Sequence, residues 1–149
     1  MKLKNSLAAL MVTVSLFGCT TSSNQSVNVT LVATRQNTGQ IGNVVLSEWD
    51  KQTGLSFFIS GAPSGVVLPL RLYSFINKGS CQQPGPVAYA LNDKVNTEPN
   101  AGTGGWTFYR SAPIKMQDLL AGNYSVLLRT SPEDGNTDIF CGNVAQATK

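Results

Sequence analysis

The chain has 149 residues, a length that fits a single domain. Hydrophobic residues make up 42% of it and charged residues 13%, which excludes a disordered chain, a coiled coil and a polytopic membrane protein. The sequence contains no histidine, which excludes histidine-based acid–base catalysis and nearly all catalytic zinc, copper and iron sites. We therefore expect a protein without a metal or a cofactor.

The first 18 residues are predicted to form an export signal. Two lysines near the start are followed by an apolar run at 7–17, which is too short to cross a bilayer as a helix. The sequence LFGC at 16–19 resembles the bacterial lipobox, which implies a lipid on the Cys19 thiol and cleavage before it. With Thr20 next in the chain, the resemblance implies the outer membrane. An ordinary secretory signal beside an accidental cysteine is the alternative.

Residues 19–26 are predicted to be a polar tether between this membrane anchor and one domain at 27–149. The net charge of +3 is partly a property of the leader, because the chain beyond it holds nine basic and eight acidic residues. No cluster of Lys and Arg remains there. We therefore expect no nucleic-acid partner.

From residue 27 onward, short apolar runs are separated by Gly, Pro, Asn and Asp, and no segment keeps a helical period. The run at 27–33 alternates apolar and polar residues, as a half-buried strand does. The runs at 44–49 and 55–60 flank a short loop in which Gly54 is expected to take a positive φ, which predicts a hairpin. Further strands are predicted at 66–76, 87–91, 106–110, 124–129 and 138–144. About eight strands at this spacing predict an all-β sandwich.

Three details complete this prediction. Pro69 is expected at an edge or a bulge, because proline cannot donate a ladder hydrogen bond. Only 114–120 is predicted to form a helical turn. Residues 82–105 are rich in Pro, Gly and Asn and are predicted to form a long, weakly structured loop.

The strand predicted at 106–110 carries the most suggestive binding residues. Trp106, Tyr109 and Arg110 belong to the three residue types that most often anchor interfaces. At strand spacing, Trp106, Phe108 and Arg110 point one way and Tyr109 points the other. The favoured interpretation places Trp106 and Phe108 in the core. A surface that binds a protein or a glycan would consist of Tyr109, Arg110, the neighbouring Trp106 and the preceding loop.

The cysteine count agrees with lipidation of Cys19, because it leaves one pair, Cys81 and Cys141. An exported protein enters an oxidising compartment, where we expect such a pair to be bridged. Two free thiols are the alternative.

Several short motifs between residues 27 and 144 occur in a familiar order. They are GQIGNVVL at 39–46, LSFFISGAPSG at 55–65, KGSC at 78–81, LAG at 120–122 and IFCGNV at 139–144. Together they resemble the copper/zinc superoxide dismutase family, and the strand pattern is also similar to chordin-type repeats. The resemblance implies an eight-stranded Greek-key β-sandwich of the superoxide-dismutase-like, immunoglobulin-like kind. It also implies a Cys81–Cys141 bridge.

The chain departs from that family at the positions that carry its chemistry. The resemblance aligns Ser74 and Ile76 with copper-binding histidines, and neither side chain binds copper usefully. Asp138 stands where the family has an arginine that attracts superoxide, and its charge would repel that anion. The connection at 130–137 is also shorter than the family's usual loop. The resemblance therefore implies a degenerate, metal-free member without dismutase activity.

We expect a non-catalytic, lipid-anchored envelope lipoprotein that acts as a structural or binding module. One alternative is an inhibitor of a host enzyme, such as lysozyme or a protease, which would insert the 82–105 loop into a cleft. Another is a hydrolase that works without histidine. It would need two positioned carboxylates, for which no spacing singles out a pair among Asp93, Glu98 and Asp118. Otherwise it would need a Ser/Lys pair, for which Ser111 and Lys115 are candidates.

Overall fold

A computed structural model of the chain describes Gly18 and residues 25–145. Cys19 and nearly all of the predicted export signal and tether lie outside the described residues. The strands are β1 (Ser26–Ala33), β2 (Ile41–Trp49), β3 (Gln52–Ile59), β4 (Leu72–Gly79), β5 (Pro84–Ala90), β6 (Glu98–Pro99), β7 (Trp106–Ala112), β8 (Tyr124–Thr130) and β9 (Asp138–Val144). The helix α1 spans Met116–Ala121, and single 3-10 turns occupy Arg35–Asn37 and Pro132–Asp134. Within the described part of the chain, no helix is both long and apolar enough to span a bilayer.

The nine strands form one antiparallel sheet in the order β5-β4-β8-β9-β1-β2-β3-β7-β6. Consecutive strands are paired neighbours at β1–β2, β2–β3, β4–β5, β6–β7 and β8–β9, while the other three connections cross between strands that are not neighbours. The sheet curls into a half-barrel whose two sides meet before β4. There Arg71 bridges to Asn96, and the Leu72 amide donates a 2.8 Å hydrogen bond to the Val95 carbonyl. The all-β prediction is confirmed.

The core fills the inside of this curl. On β1 the inward residues Val27, Val29 and Leu31 are buried and alternate with exposed ones, because successive strand side chains point to opposite faces. Phe57 on β3 stacks on Phe108 on β7 at a centroid distance of 4.6 Å. Burying each such side chain contributes roughly 1.5–3 kcal/mol. The other fully buried large side chains are Leu46, Leu55, Ile59, Leu70, Leu72, Ile76, Met116, Leu119, Leu128, Ile139 and Phe140.

The β2–β3 hairpin is tighter than predicted. Only Asp50 and Lys51 connect the strands, and Asp50 takes the left-handed conformation at φ 55°. The prediction of a positive φ at Gly54 was wrong, because Gly54 lies inside β3, paired with Ser47 on one side and Ser111 on the other. Gly54 instead leaves space for the side chain of Tyr109.

Two other predicted boundaries were also wrong. Residues 66–71 are not in a strand, since β4 begins at Leu72 and Pro69 lies in the connection before it. Val67 and Leu68 in this connection are exposed, and the Val67 amide donates to the Asp134 carboxylate at 2.8 Å. The 82–105 segment is not one long loop. It contains β5, which pairs along the later half of β4, and β6, which pairs with β7.

The disulfide prediction is confirmed. Cys81 follows β4 and Cys141 lies within β9, and their sulfurs are bonded at 2.05 Å. The bridge joins positions 60 residues apart in the chain. It therefore ties the β4–β5 hairpin to β9, which lies two strands away from β4 in the sheet order.

Candidate binding face around Tyr109

The β7 strand presents its residues alternately to the core and to solvent. Phe108, Arg110 and Ala112 are buried, whereas Tyr109 is 46% exposed and Ser111 is exposed. This alternation follows the prediction for the strand, and Trp106, which packs against the core, is half-buried. Of the three predicted binding residues, Tyr109 is therefore the one whose side chain lies on the outer surface.

Gly54 leaves room for the Tyr109 ring. A Cβ atom added to Gly54 would overlap the Tyr109 hydroxyl and would lie 2.9 Å from Ser47 Oγ. Tyr109 therefore crosses the strand beside it and covers the backbone at the glycine. A glycine inside a strand often marks such a close approach.

Trp49 completes an exposed aromatic pair. It stands at the end of β2, is 64% exposed and contacts Tyr109 edge-to-face, with a centroid distance of 6.4 Å and an interplanar angle of 60°. Beside the pair, the Ser111 hydroxyl donates a 2.6 Å hydrogen bond to Gln52 Oε1. We call Trp49, Gln52, Tyr109, Ser111 and the two clefts next to Tyr109 the Tyr109 face.

The first of these clefts has a volume of about 520 Å³ and lies between β3, β7 and the segment before and within β6. The second has a volume of about 360 Å³ and lies between the residues after β5 and the later half of β7. Both volumes fall within the roughly 300–1,000 Å³ typical of small-molecule sites. The first cleft is lined by Ser56, Lys94, Asn96, Glu98, Thr107, Phe108, Tyr109 and Arg110. The second is lined by Ala90, Leu91, Asp93, Lys94, Tyr109, Arg110, Ser111 and Pro113.

Arg110 closes the sheet from the inside. It is 5% exposed and donates hydrogen bonds to the carbonyls of Tyr109 at 2.8 Å and of Leu72 and Asn96 at 3.3 Å each. Its guanidinium carbon lies 4.7 Å from the centroid of the Phe108 ring. Burial lowers the pKa of Arg110 to about 10, so the group stays charged at neutral pH.

The Arg110 guanidinium forms no ion pair with any described residue, and its Nε atom is buried without a partner. Its hydrogen bonds tie β7 to β4 and to the 94–98 segment. Arg110 was predicted as a binding contact; it lines both clefts, and its hydrogen bonds also hold the strand that carries Tyr109.

The positions aligned with the dismutase ligands carry other roles. Ser74 and Ile76 are fully buried on the core side of β4. The Asp138 carboxylate accepts a 2.6 Å hydrogen bond from Arg129 Nε, so its charge is paired. Among residues 25–145, no three His, Cys, Asp or Glu side chains come together in a group suited to a metal ion.

A larger cleft, of about 560 Å³, lies beside the disulfide between β1 and β9. Neutral polar side chains such as Asn28, Thr30 and Asn143 line it, and it has neither an aromatic nor a charged side chain. Recognition sites combine apolar or aromatic walls with a few oriented polar groups. The Tyr109 face has that combination, so it is the stronger candidate despite its smaller clefts.

Sequence reasoning found Tyr109 but missed Trp49, Gln52 and Lys94. Trp49 carries a local signal, since a tryptophan beside a two-residue turn stands at the exposed end of its strand. Its pairing with Tyr109 has no local signal, because it depends on the register between β3 and β7.

No protein-family model matches the chain, and neither a curated protein nor a solved structure matches it. The geometry of the Tyr109 face is therefore the basis for proposing a function.

Proposed function

We propose that the protein is a non-catalytic, lipid-anchored lipoprotein of the bacterial outer membrane that binds a partner through the Tyr109 face. The observation that carries the proposal is the exposed Trp49–Tyr109 pair, in which Tyr109 also lines two clefts of ligand size. Exposed tryptophan and tyrosine are the residues that most often dominate binding energy. The sheet beneath them is continuous, because β3 pairs with β2 at all eight of its residues and with β7 from Thr53 to Ile59.

The lipid anchor rests on the LFGC sequence that ends at Cys19. Because β1 begins at Ser26, the polar residues 20–25 would link the lipid to the domain. An extended chain spans at most about 3.6 Å per residue, so the tether would hold the domain within roughly 25 Å of the bilayer. A partner in the envelope would then lie within reach of the face.

We also propose that the curled sheet is a Greek-key sandwich of the superoxide-dismutase-like type that has lost its metal and its dismutase activity. Crossing connections between non-neighbouring strands, such as those from β3 to β4 and from β7 to β8, are typical of Greek-key folds and support this assignment. Ser74 and Ile76, buried where the resemblance requires histidines, support the loss of copper.

The surroundings of the candidate catalytic residues favour binding over hydrolysis. The Ser111 hydroxyl donates to Gln52 and not to the Lys115 amine, which would have to act as its base. Asp93 and Glu98 line different clefts, and Lys94 lines both. A hydrolase without histidine would need a serine activated by a base or two carboxylates that face one bond.

One observation favours the second candidate function, inhibition of a host enzyme. The connection between β3 and β4 exposes Val67 and Leu68, and its backbone is held by the Asp134 carboxylate. A fixed loop with exposed apolar side chains suits insertion into an enzyme cleft. This loop replaces 82–105 as the inhibitory candidate, because that segment is paired into the sheet.

Anchoring is tested by expressing the full chain in a Gram-negative host with labelled palmitate. We expect the wild type and Tyr109→Ala to incorporate label and to fractionate with the outer membrane, whereas Cys19→Ala should incorporate none. Label on Cys19→Ala, or wild type that fractionates as a free protein, would contradict the lipid anchor.

Binding is tested by immobilising the purified chain and measuring its retention of outer-membrane and cell-wall fractions. Wild type and Leu68→Ala should retain the same component, whereas Tyr109→Ala should weaken retention about tenfold or more, as loss of a central aromatic anchor does. If Leu68→Ala loses retention and Tyr109→Ala keeps it, the β3–β4 connection is the binding surface and the inhibitor function replaces this one.

A further inference from the structure

We propose that the Tyr109 face binds an uncharged oligosaccharide, whose sugar rings stack on Tyr109 and Trp49. This inference rests on the proposed function, because it names the class of ligand that the same face takes. It is carried by three properties of the face: its aromatic pair, its neutral hydrogen-bonding groups and its balanced charge.

The aromatic pair offers the surface that a sugar ring needs. One face of a pyranose carries several C–H bonds, which pack on the negative face of an aromatic ring. Tyr109 is backed by the strand at Gly54, so one side of its ring is supported while nearly half of the side chain stays accessible. Trp49 stands edge-to-face to it and adds a second exposed ring.

The polar side chains around the pair are mostly neutral groups that both donate and accept. The side-chain carbonyl oxygen of Gln52 accepts a hydrogen bond from Ser111, so the amide NH₂ of Gln52 is available to donate to a ligand. The first cleft adds Ser56, Asn96 and Thr107. Sugar hydroxyls donate and accept in the same way, so amides and hydroxyls match them without leaving charge unpaired.

The charges around the clefts cancel. Lys94 and Arg110 are the basic residues, and Asp93 and Glu98 are the acidic ones. Arg110 is also buried, with its hydrogen bonds directed at backbone carbonyls. A face without net charge gives no electrostatic advantage to a phosphorylated or sulfated ligand.

A protein partner fits this face less well. The centre of a protein interface is apolar and poor in charge. The other large exposed apolar side chains line neither cleft: Val32 and Ile41 pair at the opposite end of β2 from Trp49, and Val67, Leu68 and Val87 stand on the β3–β4 connection and on β5. The first cleft is lined mainly by polar side chains, and the second adds a smaller apolar wall of Ala90, Leu91 and Pro113 on which a sugar ring can also pack.

The test uses the full chain in detergent, titrated with tetramers of N-acetylglucosamine, α-1,4-glucose and β-1,4-glucose, and with a sulfated heparin tetrasaccharide. Calorimetry gives the dissociation constant, and the fluorescence of a Trp106→Phe variant, which keeps Trp49 as its one tryptophan, reports on Trp49. We expect at least one neutral tetramer to bind with a dissociation constant below 1 mM, and the sulfated one to bind at least tenfold more weakly. Tyr109→Ala and Trp49→Ala should each weaken binding about tenfold or more, whereas Tyr109→Phe keeps the ring and should restore most of the binding that Tyr109→Ala loses. The control is the exposed Ile41→Ala at the opposite end of β2, which should leave binding within twofold.

Three results would overturn the inference. They are no binding of any neutral tetramer below 1 mM, stronger binding of the sulfated one, or binding that survives both alanine substitutions. If retention of envelope fractions still depends on Tyr109 in the first case, the proposed function stands and its partner is a protein. If that retention is lost as well, the proposed function fails together with the inference.

Discussion

The absence of a side chain at Gly54 controls how Tyr109 lies on the exposed face. Tyr109 reaches across the sheet only because Gly54 has no Cβ, and Trp49 then meets the Tyr109 ring edge-on. Arg110, next to Tyr109, holds the same strand from the inside through three backbone carbonyls. The orientation of the face thus depends on residues that no ligand would need to touch.

The coupling between Gly54 and Tyr109 is measurable. Gly54→Ala is expected to destabilise the wild type by about 1 kcal/mol, because the new methyl group displaces the Tyr109 hydroxyl. In a Tyr109→Ala background the same change should be neutral or stabilising, which gives a coupling energy of about 1 kcal/mol. Urea unfolding measures both. Gly102→Ala, whose Cβ would meet nothing closer than 3.7 Å, is the matched control.

Loss of Arg110 should weaken the contact between β4 and β7. We expect Arg110→Met to lower the free energy of unfolding by about 1–3 kcal/mol, because the Leu72 and Asn96 carbonyls lose their donor. The exposed Arg35→Met should change it by less than about 0.5 kcal/mol. Denaturant unfolding measures both. A more stable Arg110→Met variant would show that burying this charge costs more than its hydrogen bonds return.

At the scale of elements, the sheet is built from local hairpins and a few distant pairings. The β2–β3 hairpin pairs eight residues on each strand through a two-residue connection. By contrast, β1 and β9 pair at only two positions, Val32 with Cys141 and Ala33 with Phe140. The hairpins therefore supply most of the regular ladder, and the distant pairings decide how the hairpins are arranged.

The β2–β3 turn contains a non-glycine residue in the left-handed region of backbone conformation. Asp50 has φ 55°, a region that costs an L-residue roughly 1–2 kcal/mol and glycine almost nothing. Asp50→Gly is therefore expected to stabilise the protein by about 0.5 kcal/mol after the added entropy of the unfolded chain. Lys51→Gly, at a position without positive φ, should destabilise it by about 0.5–1 kcal/mol. Thermal melting of the pair tests this, and equal shifts would contradict it.

Two sets of contacts keep the whole sheet curled. One is the disulfide, and the other joins the two sides of the half-barrel at Arg71 and Leu72. The bridge links Cys81, after β4, to Cys141 in β9. On the other side, the Arg71–Asn96 bridge and the Leu72–Val95 hydrogen bond join β4 to the segment that leads into β6. The site lies next to this second junction, so its clefts depend on the closed form of the sheet.

Removal of the disulfide should affect global stability more than any other change considered. A loop of 60 residues predicts a loss of roughly 4 kcal/mol for the double variant Cys81→Ala/Cys141→Ala in the chain-entropy model. Urea unfolding measures it, and the reduced wild type should show the same loss. A loss below about 1 kcal/mol would mean that the unfolded chain is already compact in this region.

Local sequence signals were sufficient to predict the all-β class, the approximate position of most strands and the cysteine pair. These features follow from local signals, namely the alternation of apolar and polar residues, the turn residues and the cysteine count. The same local reasoning placed Tyr109 on the face of its strand opposite Phe108 and Arg110, because successive strand residues point to opposite sides.

The tertiary structure alone decided the strand order, the pairing of β3 with β7, the place of 82–105 and the contact between Trp49 and Tyr109. Gly54 illustrates why the sequence did not reveal these contacts. A glycine near a turn and a glycine beneath an aromatic ring look alike in sequence, and the ring comes from a residue 55 positions later in the chain. Such contacts depend on which strands the packed core brings side by side, and a local pattern carries no information about that choice.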